Sequence, residues 1–266
     1  MPHLLHIDAH VHHYPSYPLD VFLHACCCHL PRPAPTDTRV LLFAERPECH
    51  FLAALLQDEL PLPADFKIAA YDPLGAVKLR HLPTHADTWL VPGRQHVTAE
   101  RLELCSLLSD AQVPQNMSLQ ETYDTILAAN ALPLLDFAPG KWLCARGKLL
   151  RRFILSLPPD KPLLFCDTSL RPYGWPFPAI LKLARRLRRP ILAGSDPLPF
   201  ASEASMPGTY RVSLPCPPPP DPSSILPYLR ELLLSPAFPA ATFSGRRSSP
   251  PALLSRLRHN ARAKKS

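Results

Sequence analysis

Short runs that are apolar almost throughout, at Leu4–Asp8, Arg39–Ala44, Lys67–Ala70, Thr88–Val91, Leu132–Phe137, Leu163–Asp167 and Ile191–Gly194, punctuate the chain. Such runs predict strands covered on both faces, because a strand with one wet face alternates instead. Between and after them, apolar residues recur at helical spacing in Leu19–His29, Cys49–Glu59, Ala99–Leu108, Leu119–Ala129, Lys148–Ser156, Pro178–Arg188 and Ile225–Leu234. Ser118 followed by Glu121 has the spacing of a capping box, and Thr98 stands ready to start the Ala99 helix. Alternating strands and helices predict βα units on a parallel sheet. A doubly wound open sheet and a closed barrel both satisfy that pattern. Asp8, Glu45, Asp136, Asp167 and Asp196 each stand at the carboxyl end or just beyond a predicted strand, where barrels build their sites. The expected fold is therefore α/β, a (β/α) TIM-like barrel, distorted, with about seven or eight strands.

Length agrees with one large domain: 266 residues suit a barrel around a single core. Residues 1–236 are assigned to the barrel. The pattern changes after Pro215, through the polyproline run Pro217 to Pro220, and residues 237–266 are read as a basic tail, partly disordered from Ser244 onward. The apolar fraction of 46% and the mean hydropathy of −0.04 are those of a globular protein. No apolar run reaches the roughly 20 residues needed to span a bilayer. The first residues lack the basic and apolar stretches of a secretory signal, so the expected location is cytoplasmic. The eight cysteines have no framework spacing and are expected to be reduced. The net charge of +7 gathers late, in Arg185–Arg189 and in the tail, which suits an anionic partner.

The chemistry concentrates in Asp8-Ala9-His10-Val11-His12. A strand sends alternate side chains to one face, so all three polar groups are expected to face the barrel mouth. Neutral imidazoles with a carboxylate form a divalent-metal ligand set. With twelve histidines in the chain, a His-x-His pair is expected roughly half a time by chance, but with the upstream Asp only about 0.03 times. This segment resembles the first-strand metal motif of the amidohydrolase superfamily and its relatives, the polymerase-and-histidinol-phosphatase (PHP) group and the TatD-type nucleases. Gly194-Ser195-Asp196 resembles the segment ending their last barrel strand. The resemblance implies metal ligation by His10, His12 and Asp196, with Asp196 also the base that activates water. The chain departs from the family in lacking the middle-strand histidines, and in the Pro197 that follows Asp196.

Other residues carry two readings each. Lys141 is a carbamylated ligand, a clamp for an anionic substrate, or a solvated loop lysine. Glu45 is a ligand oriented by Arg46, or half of a surface ion pair. Gln95 and His96 touch substrate or metal, or are structural. His24-Ala25-Cys26-Cys27-Cys28-His29 suggests a soft metal, yet consecutive helical cysteines point about 100° apart and are more simply core. The resulting expectation is a metal-dependent hydrolase of a small-molecule amide or ester. Asp196 and Lys141 are its catalytic residues, and Asp8, His10, His12, Glu45 and Asp196 its metal ligands; zinc is the first choice of ion, with iron or manganese as alternatives. A phosphoesterase or nuclease, and a non-catalytic binding partner, are the other readings.

Overall fold

The computed structural model describes residues 3–31, 37–235, 238 and 241–263. In chain order the described elements are β1 (Leu4–Val11), α1 (Leu19–Cys28), β2 (Thr38–Phe43), α2 (Phe51–Leu56), β3 (Phe66–Tyr71), β4 (Val77–His81), β5 (Ala86–Val91), β6 (Gly93–Val97), β7 (Glu103–Leu107), α3 (Leu119–Ala128), β8 (Leu132–Asp136), α4 (Cys144–Ser156), β9 (Leu164–Thr168), α5 (Ala179–Arg186), β10 (Ile191–Gly194), β11 (Tyr210–Pro215), α6 (Ile225–Leu234), β12 (Thr242–Gly245) and α7 (Pro250–Ala263). Every strand predicted from an apolar run is present within a few residues. The Ser118 hydroxyl accepts from the Glu121 amide and the Glu121 carboxylate accepts from the Ser118 amide, so the capping box forms as its spacing predicts.

The strands do not make a closed parallel barrel. They form two open sheets of mixed direction: seven strands in the order β12-β11-β1-β2-β5-β4-β3, and five in the order β10-β9-β8-β7-β6. Two antiparallel groups break the βα repeat. β3, β4 and β5 run as a meander, and β6, β7 and β8 pair antiparallel in turn, with α3 between the last two. The segment expected as a helix at Ala99–Leu108 instead supplies β7, after a turn in which the Leu102 amide bonds to Thr98 Oγ1. Its sequence, Glu-Leu-Cys-Ser-Leu, lacks the apolar run that marked the other strands, and a hairpin return needs no crossover helix. β11 and β12 pair antiparallel beside β1 and were likewise not foreseen. Within residues 237–266, Thr242–Gly245 form a strand and Pro250–Ala263 a helix; residues 237, 239–240 and 264–266 lie outside the described part.

One core lies between the two sheets. Leu5, Ile7, Val40 and Leu42 of the first meet Leu132, Leu134, Leu164 and Leu192 of the second. α1 and α2 cover the far side of the first sheet, and α3, α4 and α5 that of the second. The two edge strands of the second sheet, β10 and β6, approach the ends of β1 and β2 in the first along two seams. At one, the Asp196 amide donates to the His10 carbonyl at 2.9 Å. At the other, the Glu45 amide donates to the Gly93 carbonyl and the Gln95 amide to the Glu45 carbonyl, each at 2.9 Å. Both seams need glycine: a Cβ on Gly194 would stand 2.5 Å from His10 Cβ, and one on Gly93 would stand 2.3 Å from the Phe43 carbonyl oxygen.

Candidate metal centre

His10, near the end of β1, and His12, just past it, bring their Nε2 atoms to 3.0 Å from each other. Asp196, just past β10, lies beside them, with Oδ1 3.8 Å from His10 Nε2 and 3.9 Å from His12 Nε2. Its backbone is left-handed, with φ of 48°, a conformation aspartate tolerates better than most residues. All three are buried. Two imidazole nitrogens this close must share a proton or a cation, and metal–nitrogen bonds of about 2.0–2.1 Å span such a gap. The donor set therefore fits a divalent ion.

A second carboxylate explains how His10 is held. Asp136, at the end of β8, places Oδ1 2.8 Å from His10 Nδ1, and Cys105 on β7 donates its thiol to Asp136 Oδ2 at 2.9 Å. A carboxylate behind a ligating histidine fixes the ring and leaves the opposite nitrogen for the ion. His10, Cys105 and Asp136 also form a buried potential ligand group of their own, so two such clusters share His10. Burial opposes charge on His10, but Asp136 and Asp196 outweigh it and raise its pKa to about 10. His12 is shifted the other way, well below its ordinary value, by burial and by the neighbouring His10. Burial lifts Asp196 to about 6.

Asp8 is not part of this cluster. The pairing of β1 with β2 shifts register between Asp8 and Val11, and the Asp8 carboxylate accepts from the backbone amides of Ser195 at 2.9 Å and Gly208 at 2.7 Å. It ties β1 to the segments after β10 and before β11. Glu45 also stands apart: it accepts from the Leu52 amide at 3.1 Å, at the start of α2, with Arg94 3.9 Å away. Asp167 is taken up by Arg171 at 2.5 Å and the Tyr210 hydroxyl at 2.7 Å. Lys141 pairs with Glu103.

The His10, His12 and Asp196 cluster opens on a cleft of about 510 Å³ whose lining includes His12, Asp196, Arg46, Gln95, Arg101, Lys141 and Arg146. Four cations against Glu103 and Asp196 make its wall net positive. Leu257 and Asn260 of α7 complete it. The neighbouring Arg256 donates to Glu203 and to the Asp196 carbonyl at 3.0 Å. The presumed tail thus carries part of the site, and only its charge was visible in the sequence. His96, by contrast, points away from the cleft, with Nε2 2.9 Å from Ser106 Oγ. Burial, with Arg94 nearby, lowers its pKa from 6.5 to about 4. The folded protein therefore binds this proton more weakly than the unfolded chain does. The associated stability is complete above pH 6.5 and falls away toward pH 4, by at most about 3 kcal/mol. His96→Gln should flatten that loss in urea titrations at pH 7 and pH 4.5; an unchanged difference between the two would show that another group is responsible.

The sequence matches no protein-family model and no curated protein. A solved structure described as the crystal structure of PsfC from Pseudomonas syringae PB-5123 is similar, with a TM-score of 0.58 and 13% identity, over 98% of this chain and 99% of that one. At that identity the likeness concerns the fold alone. The family resemblance drawn from Asp8–His12 and Gly194–Asp196 presupposes a closed barrel, and the two open, mixed sheets overturn it. What stands is the capacity of buried His, Asp and Cys clusters to coordinate a metal ion. No helix among the described residues is long and apolar enough to cross a membrane.

Proposed function

We propose that this protein is a metal-dependent hydrolase that takes an anionic small molecule into the 510 Å³ cleft and cleaves it with water. The observation that carries this reading is the meeting of His10 Nε2 and His12 Nε2 at 3.0 Å beside Asp196 on the cleft wall. Zinc suits the nitrogen and carboxylate donors best, with iron or manganese as alternatives. Such an ion, when bound, lowers the pKa of water toward neutrality and polarises the bond to be broken. His10 and His12 would hold the ion and Asp196 would complete the ligand set, while Asp136 keeps the His10 ring in place and the Asp196 carboxylate is placed to accept a proton from the attacking water. Arg46, Arg101, Lys141 and Arg146 receive the negative charge of the substrate, with Lys141 serving as a clamp held in position by Glu103. Four cations around one cleft favour a phosphoryl over a carbonyl centre, because charge accumulates on three phosphoryl oxygens rather than one.

Asp196→Asn tests this directly. Its backbone bonds to His10 and Arg256 remain available, so the variant should fold with the parent's thermal midpoint. Its hydrolysis of an aryl phosphate, measured beside an aryl ester, should fall roughly 100- to 10,000-fold, the range of a lost general base. Undiminished hydrolysis would remove Asp196 from the reaction. A metal-loaded parent that cleaves neither probe, nor any wider panel, would favour the non-catalytic reading.

A further inference from the structure

A second ligand group lies on the opposite side of β1's sheet from the site above. The three consecutive cysteines of α1 do not act together: Cys26 and Cys27 are fully buried in the core beneath the helix. Cys28 turns outward, one helical turn after His24, and its Sγ lies 3.7 Å from His24 Nδ1. His81, the last residue of β4, comes from a distant stretch of chain and places Nδ1 3.8 Å from the same sulfur. Its ring stands edge-on to that of His24, with centroids 5.4 Å apart. The three ligand atoms all lie within 4.8 Å of one another. Zinc–sulfur bonds of about 2.3 Å and zinc–nitrogen bonds of about 2.0–2.1 Å put sulfur and nitrogen roughly 3.6–3.8 Å apart around one ion. The sulfur-to-nitrogen distances therefore already match a coordinated ion. The group borders a groove of about 320 Å³ into which Asp20 and Asp65 also face, so its surroundings favour a cation.

We propose that His24, Cys28 and His81 form a second zinc site, with the fourth position open to solvent. The Cys28 thiol gives its proton to solvent on binding, and the thiolate and two imidazoles complete three bonds to the ion. Thr84 Oγ1, 2.7 Å from His81 Nδ1, holds that ring in position beforehand and yields the nitrogen to the metal. The ion would pin α1 to the β3–β4 hairpin. This site is independent of the reaction proposed above.

Cobalt(II) distinguishes it, because a thiolate ligand gives a near-ultraviolet charge-transfer absorption that His/Asp ligation lacks. Added to the reduced, metal-stripped full-length protein, cobalt(II) should produce this band, and in the His10→Ala/His12→Ala background it should saturate at about one equivalent. Cys28→Ser should abolish it. Cys105→Ser and the His10→Ala/His12→Ala double variant should retain it, which excludes the cysteine beside His10. His24→Ala, at an exposed position that tolerates substitution, should weaken cobalt binding at least tenfold. A parent without the band, a band that survives Cys28→Ser, or unchanged affinity in His24→Ala would each overturn the proposal.

Discussion

Replacing His10 and His12 together by alanine is expected to remove the buried metal almost completely while leaving the protein folded. Elemental analysis of protein purified without added metal and without a histidine tag should find about one equivalent fewer in the double variant than in the parent. The effect is large because the two Nε2 atoms, 3.0 Å apart, are the closest pair of ligand atoms among His10, His12 and Asp196. Asp196 Oδ1, nearly 1 Å further from each, cannot hold the ion alone. Folding should survive because β1 is anchored elsewhere, through Leu5 and Ile7 in the core and through Asp8 to Ser195 and Gly208. Removing the imidazoles also leaves the buried Asp136 and Asp196 carboxylates without the cation that they hold on His10, so the variant should unfold at a lower temperature than the parent, and circular dichroism at the working temperature should confirm that it is folded before metal contents are compared. Equal metal in parent and variant would exclude the cluster. Thermal unfolding of the parent with and without a chelator provides an independent reading, since an ion bound only to the folded state raises its midpoint.

Gly194→Ala is expected to be the most damaging single-methyl change at this seam. The new Cβ would lie 2.5 Å from His10 Cβ, 2.8 Å from the His10 amide nitrogen and 3.0 Å from Cys166 Sγ. Two of those neighbours are backbone or directly attached to it, so no rotamer change can clear the space. β10 must move off β1, at a cost of about 1–3 kcal/mol for overpacking. The movement also carries Asp196 away from the histidines. Urea titration should show the lower midpoint, and elemental analysis the lost metal. An alanine variant with the parent's midpoint and metal content would mean that the two sheets do not meet as described.

The local elements were legible in the sequence because their signals are local. A strand buried on both faces has no polar position to disguise it, which is why β1, β2, β8, β9 and β10 were found nearly to the residue. The His-x-His spacing survived into the structure because its signal is equally local: residues two apart at the end of an extended strand send their side chains the same way. Asp8 did not, because the register shift in β1 breaks the alternation that would have aligned it, and its backbone partners, Ser195 and Gly208, are distant in sequence. β6, with its Arg94-Gln95-His96 run, carried too little apolar residue to read as a strand, and the strand direction that distinguishes two mixed sheets from a barrel is set by pairings no local pattern encodes. Asp136 was noted as a strand end, but its role behind His10 depends on where β8 lands. α7 was obscured by its own composition: Arg258, Arg262 and the serines and prolines before it resemble a solvated tail, although Leu253 and Arg256 are buried.

That last helix has a consequence in time rather than in space. Arg256 donates to Glu203, to Ser169, to Ser248 and to the carbonyl of Asp196, while the Asp196 amide donates to His10. The centre therefore draws together the earliest and the latest parts of the described chain. On the ribosome, where residues emerge in order, the two histidines are made long before the carboxylate beside them, and the carboxylate before the guanidinium that steadies it. The pocket can be assembled only after α7 has been made, so an ion meeting the growing chain before then finds an isolated histidine pair, and the whole ligand set is presented only by a chain that has already brought α7 into place.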